Sequence, residues 1–434
     1  MTRVSFIFLQ SIVLFYLVGC KNSGECNTPG VTDSSLINFK HLDALYTPVT
    51  FANNVKAAGV YIYAEAPDYH LVGAKGEGFT CVDDVSRAAL VYARSRNFES
   101  DSSIRNKLVN LVLFILEMQS ENGYFYNFLL PGNIINKDGQ TSVNTPNWWS
   151  WRALQTLTEV SPIVKKLDSS LSQKIDRAIA KAMVTLKSDL PISQLTTKEV
   201  NDITVPQWLP GGSATDQASI LILALLNYCS RHENEELKIY IDKLAQGIAM
   251  MQKGDSLHFP FCCFLSWENV WHAYGADQAY ALMKAGEFLN DSTYITKGLA
   301  EVDNFYPWLL EKGMMSSFAV IKKGNDFVPA DQLGFPQIAY GIRPMIFAAT
   351  EAYKLTGKPK YADIAAHLAA WFLGANTAKA IMYDKNTGRC FDGIISMNKV
   401  NRNSGAESTI EALLAFQRIE GYPEIILALN KINK

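Results

Sequence analysis

Apolar positions along this chain follow two alternating rhythms. Six stretches are apolar nearly all round: Asp84–Arg94, Trp149–Glu159, Asp216–Cys229, Tyr274–Ala285, Ile342–Leu355 and Ser408–Ile419. That is the pattern of helices buried on every side. Between them, Ile104–Gln119, Leu171–Leu186, Glu235–Met251, Thr293–Leu310 and Lys360–Leu373 carry Lys, Asp and Glu on one face and Leu, Ile and Ala on the other, as outer helices do. A further outer helix is expected near Leu36–Leu45. Period-two alternation is scarce, with Gly59–Tyr63 the best short strand candidate. Asp83, Trp149, Asp216, His272, Tyr340 and Glu407 mark the repeat, at steps of 66, 67, 56, 68 and 67 residues. Six inner helices alternating with six outer ones predict an all-α fold, an (α/α)6 barrel formed as a single large domain over residues 34–434.

The first residues break this rhythm. Arg3 precedes an apolar run from Val4 to Val18, which closes on Leu17-Val18-Gly19-Cys20. The run is too short to span a membrane comfortably and reads as a signal peptide over residues 1–19. Its close resembles a bacterial lipoprotein signal. That resemblance implies a lipid on Cys20, an anchor in a membrane of the bacterial cell envelope, and an extracytoplasmic protein. Residues 20–33, rich in Asn, Ser, Gly, Thr and Pro, read as a flexible tether.

Composition narrows the function classes. With 48% apolar and 19% charged residues the chain is globular, and a net charge of −2 gives no electrostatic case for a nucleic-acid partner. Seven cysteines, including Cys20, permit disulfides without the density of a disulfide scaffold. There is no CxxC, HExxH, phosphate-binding loop or dinucleotide fingerprint, so neither metal nor cofactor is expected.

In a toroid the inner helices run parallel, so their starting turns share one mouth. Those turns hold the candidate chemistry. Gly76 to Arg87 leads Asp83 and Asp84 into the first inner helix, where acids suit the positive end of the dipole. Adjacent helix positions point about 100° apart, so one aspartate is expected to face the cleft, and Asp84 is taken as that one. Asp83 is then a cap or a partner of Arg87. Trp267-Glu268-Asn269-Val270-Trp271-His272 places an acid and a histidine four apart around what reads as a helix start, where they would share a face. Asp216 occupies the equivalent turn as an N-cap or a ligand-binding acid. Trp148, Trp149 and Trp267 are candidates for stacking on sugar faces. Arg389, Asp392 and Asn403 lie in late polar loops.

Gly78 to Arg87, Asn147-Trp148-Trp149, Gly388 to Gly393 and Asn403 to Thr409 resemble the six-hairpin glycosidase superfamily, over roughly Tyr46 to Gly421. The resemblance implies a carbohydrate substrate and a glycoside hydrolase working through two carboxylates, in many relatives with inversion. Asp84 would be the base that activates water and Glu407 the general acid, with Glu268 the competing acid. A polysaccharide lyase on a uronic-acid glycan is the alternative, with His272, Tyr274 and Arg389 as base and neutraliser. A non-catalytic glycan-binding toroid is another. An epimerase is disfavoured because His41, His232 and His367 lie away from the mouth.

Overall fold

The computed structural model describes residues 35–433. The signal peptide, the tether and the lipidation site at Cys20 lie outside the described residues. Six helices form an inner ring: α2 (Val82–Ala93), α4 (Trp148–Leu167), α6 (Thr215–Cys229), α8 (Gln278–Leu289), α11 (Ala339–Thr356) and α13 (Ala406–Ile419). Each packs on the next, and α13 packs back on α2, so the ring closes. Outside it lie α3 (Ser102–Glu117), α5 (Ser169–Asp189), α7 (Glu235–Met250), α9 with α10 (Ser292–Ala300 and Tyr306–Glu311), α12 (Pro359–Ala370) and α14 (Pro423–Ile432). The expected (α/α)6 barrel is the observed fold. No helix among the described residues is long and apolar enough to cross a membrane.

Burial explains the two rhythms. Every residue of α11 from Ala339 to Ala352 is buried. On α5, by contrast, Leu171, Ile175, Ile179, Ala182 and Leu186 are buried at helical spacing beneath a polar face. Asp168 caps α5 by accepting from the amides of Ser170 and Leu171.

Three details depart from the sequence reading. The helix expected at Leu36–Leu45 is only α1 (Lys40–Leu45), after which the chain turns into a hairpin of Tyr46–Thr50 with Lys56–Val60. The expected helix Thr293–Leu310 passes through a π segment at Glu301–Phe305, just before Pro307, which has no amide hydrogen to continue an α ladder. The chain also carries a three-stranded sheet of Val270–His272, Ser317–Lys323 and Asp326–Leu333. Phe318 and Val320 alternate inward along it, a period-two signal too short to stand out beside the long helices.

The same sheet moves the start of the fourth inner helix. Trp267 to His272 is not a helix start: Trp267 and Val270 bridge a tight turn in which Glu268 has φ +49°, and α8 begins only at Gln278.

Candidate active site

The first turns of α2, α4, α11 and α13 converge on a chain of ion pairs at the barrel mouth. Arg87, one turn into α2 and 2% exposed, is its centre. Its Nη2 lies 2.7 Å from both Asp83 Oδ2 and Asp84 Oδ1 and 3.5 Å from Glu407 Oε2, and its Nη1 lies 2.7 Å from Glu411 Oε1. Arg152 on α4 adds a contact of 2.7 Å from Nε to Asp83 Oδ1, and its Nη2 donates to the Tyr340 hydroxyl. Deeper in the ring Arg343 joins Glu411 Oε2 to Asp277 Oδ1, both at 2.6 Å. Each guanidinium is therefore paired, as burial of charge requires.

The carboxyls of this cluster differ in environment. Glu411 is fully buried, which alone would raise its pKa, yet Arg343 and Arg87 together hold it down at about 2. Burial pushes the Glu407 carboxyl up to about 7, against the pull of Arg87. Glu407 nevertheless keeps 43% of its side-chain surface open to the mouth. A carboxyl that is accessible and protonated near neutral pH is what proton donation requires.

The two aspartates occupy the reverse of their expected places. Asp84 is buried, with Oδ1 on Arg87 and Oδ2 accepting from the Cys81 thiol at 3.3 Å, and burial raises its pKa. Cys81 also caps α2 by accepting from the Asp84 amide. Asp83 is the aspartate that reaches the mouth, with 21% of its side chain exposed, and it is indeed a partner of Arg87.

Around the cluster stands an aromatic wall. The ring centroid of Tyr274, which is 44% exposed, lies 6.5 Å from that of Trp148 and 6.4 Å from that of Tyr340. The loop beneath them passes through Gly275 at φ +66°, where a Cβ would come within 2.8 Å of the Trp148 ring and 2.7 Å of the Tyr340 hydroxyl. Tyr274 stacks on His272 with centroids 3.7 Å apart. His272 Nδ1 donates to the Tyr274 carbonyl at 2.8 Å, and its Nε2 faces Asp216 Oδ2 at 3.0 Å. Burial raises the pKa of Asp216, with the His272 contact opposing. Asp216 is thus no side-chain N-cap for the first amides of α6 beyond Gln217, whose amide it does accept.

Other expected residues stand elsewhere. Glu268 pairs with Lys198 at 2.6 Å and not with His272, because the hairpin turn points the two apart. Trp267 is exposed at that turn. Trp149 is buried and donates its indole hydrogen to the Phe125 carbonyl, so it packs the core and presents no face for stacking. Arg389 lies 4.0 Å over the Tyr69 ring, and Asn403 accepts from the Ala66 amide at 3.1 Å; both tie down the loop around residues 66–69. Asp392 Oδ1 accepts from the Gly405 amide and the Ser408 hydroxyl at 2.8 Å each, holding the start of α13.

Arg152, Tyr340, Arg343, Asp277 and Glu411 are the members of the cluster that sequence reasoning did not assign to the site. The signal for three of them was present: Arg152, Arg343 and Glu411 each interrupt an apolar run about one turn into an inner helix, as Arg87 does.

Comparison with solved structures agrees with the fold. Cellobiose 2-epimerase from Bacillus thermoamylovorans B4167 matches with a TM-score of 0.56 at 12% identity, over 84% of this chain and 92% of that one. A sugar epimerase from a ruminal bacterium matches with 0.57 at 14% identity, over the same shares. Cellobiose 2-epimerase from Spirochaeta thermophila DSM 6192 gives 0.56 at 9% identity, over 87% and 91%. At such identities the likeness is one of fold, an (α/α)6 toroid. No protein-family model and no curated protein matches the sequence.

Proposed function

We propose that the protein is a carbohydrate-active enzyme that hydrolyses a glycosidic bond, with Glu407 as general acid and Asp83 as the carboxylate that activates water. The observation that carries this reading is the placement of Glu407: an acid 43% exposed at the open mouth and 3.5 Å from Arg87, beside Asp83, which Arg87 and Arg152 each hold at 2.7 Å. Protonated Glu407 gives its hydrogen to the leaving oxygen while Asp83 takes one from the attacking water. Tyr274 and Trp148 offer ring faces to the sugar.

Inversion is part of the proposal, and it requires Glu407 to move. The nearest oxygens of Asp83 and Glu407 both sit on Arg87 Nη2, so they are no further apart than arms of 2.7 and 3.5 Å laid end to end. That is short of the roughly 6.5–9.5 Å between inverting carboxyls. The longer arm is Glu407's, so the proposal has it swing off Arg87 on substrate binding to make room for the water.

Two other readings have less support. His272 is only 10% exposed beneath the Tyr274 ring, with Nδ1 on the Tyr274 carbonyl and Nε2 on Asp216. It is therefore less open to a substrate than Asp83 as the base of a lyase or of an epimerase, although the structures above are described as epimerases. A glycan-binding toroid without turnover would keep the aromatic wall and yield no product.

The proposal includes attachment to a membrane of the cell envelope through a lipid on Cys20, on the strength of the Leu17-Val18-Gly19-Cys20 sequence. Expression of Cys20→Ala tests it: the variant should leave the membrane fraction, and retention equal to wild type would contradict the anchor. Catalysis is tested by assaying new reducing ends from a panel of neutral and acidic glycans with wild type, Glu407→Gln and Asp83→Asn. Release by wild type that vanishes in both variants supports the hydrolase, whereas an unsaturated, ultraviolet-absorbing product would favour the lyase.

A further inference from the structure

Beside Glu407 the mouth deepens into a pocket of about 300 Å3. Its walls are Ile62, Tyr63, Pro336, Ile338 and Ile395, contributed by three separate segments of the chain. Ile395 and Tyr63 remain 44% and 45% exposed, so two of these walls are open to an incoming group.

The polar groups that border the pocket are already used by the protein. Asp392 is bonded through Oδ1 to the Gly405 amide and to the Ser408 hydroxyl, which leaves its Oδ2. The backbone of the far wall closes on itself, with Gln337 and Ile394 exchanging both amide-to-carbonyl bonds at 2.9 and 2.8 Å. The Ile62 carbonyl accepts from the Ala406 amide. Asn401 accepts through its side-chain oxygen from the Asn403 amide, leaving its NH2. Apart from Glu407 and the Oδ2 of Asp392, the pocket therefore offers little more than that NH2 and the Tyr63 hydroxyl.

We propose that this pocket receives an apolar, ring-sized leaving group, such as an aryl or alkyl aglycone, and not a fully hydroxylated sugar. The inference rests on the reading of Glu407 as the acid that protonates the leaving oxygen, because the group beyond that oxygen must then lie against these walls. Each sugar hydroxyl brings one donor and two acceptor positions, and a hexosyl unit would bury several of them against Ile62, Ile338 and Ile395 without partners. An apolar ring loses nothing there and covers surface that is otherwise wetted.

The test is a ligand-observed NMR titration of the full chain with benzyl alcohol and, separately, D-glucose. Ile395→Asn and Ile381→Asn are compared with wild type; Ile381 is 62% exposed and is not among the pocket's lining residues. The pocket predicts saturable benzyl alcohol binding that weakens about tenfold in Ile395→Asn, stays unchanged in Ile381→Asn, and exceeds any binding of glucose. Absence of saturable benzyl alcohol binding, indifference to Ile395→Asn, or glucose binding as tightly as benzyl alcohol would each overturn it. The titration does not depend on turnover. Glu407→Gln with full activity would therefore defeat the catalytic reading, while the benzyl alcohol result judges the pocket separately.

Discussion

Glu407 reaches Arg87 over 3.5 Å, whereas Glu411, one turn along the same helix, reaches it over 2.7 Å. The two acids share a helix face and an arginine, but Glu411 has a second guanidinium and no solvent. Their pKa values are driven apart, to about 7 and about 2. Separation of this kind assigns one carboxyl to proton transfer and the other to structure.

For Glu407 the sign follows directly. The acid is active while protonated, so kcat/KM should fall as pH rises through about 7. Glu407→Gln should lower turnover of an unactivated glycan by roughly 10²–10⁴ and remove that alkaline limb. A profile flat from pH 6 to about pH 9 in wild type would speak against the assignment.

Glu411 should behave as a structural anion. Its folded pKa is depressed, so it contributes stability above the ordinary carboxylate range, and that contribution is lost as pH falls towards about 2. Glu411→Gln leaves Arg87 to Asp83 and Asp84 and Arg343 to Asp277, at a cost of about 1–3 kcal/mol near neutral pH. Denaturant unfolding of both proteins at several pH values measures this, and the difference should shrink in acid.

The aspartates should separate in the same way. Asp83→Asn should reduce activity by about 10² or more, because Asp83 carries the proposed base. Asp84→Asn keeps Arg87 paired through Asp83 and Glu411, and should cost about 1–3 kcal/mol of stability with activity within about tenfold of wild type. Parallel kinetics and unfolding distinguish the two.

A third acid, Glu301 in the π segment, is not part of the ion-pair cluster. Burial raises Glu301 to about 8, and it accepts from the Phe264 amide at 2.8 Å. A carboxyl whose folded pKa is raised weakens the fold as pH climbs from its unfolded value to about 8. Glu301→Gln keeps the acceptor and carries no charge, so it should raise Tm at about pH 9 and change it little at about pH 5. Equal Tm values at both pH values for both proteins would show that the folded pKa of this carboxyl is not raised above its unfolded value.

The ring was legible because each inner helix repeats one chemical pattern, apolar on all sides, and each outer helix another. The position of the mouth followed from parallel inner helices, so Asp83, Asp84 and Glu407 could be named together. What failed was orientation. Asp84 is the buried aspartate, with its side chain on Cys81 and Arg87, and Glu268 and His272 diverge because a short strand replaces the expected helix start. Trp149 resembles Trp148 in sequence, but one helix step turns it into the core. The partners across the ring, Arg152 with Asp83 and Arg343 with Asp277, are 69 and 66 residues apart and leave no local trace.

The central claim is that Glu407 protonates the leaving oxygen. It is tested most directly by comparing a dinitrophenyl glycoside, whose leaving group needs no proton, with the corresponding alkyl glycoside in wild type and Glu407→Gln. The account predicts that Glu407→Gln loses about 10³ in kcat/KM on the alkyl glycoside and little on the dinitrophenyl one. Equal losses on both substrates, or no loss on the alkyl glycoside, would contradict it.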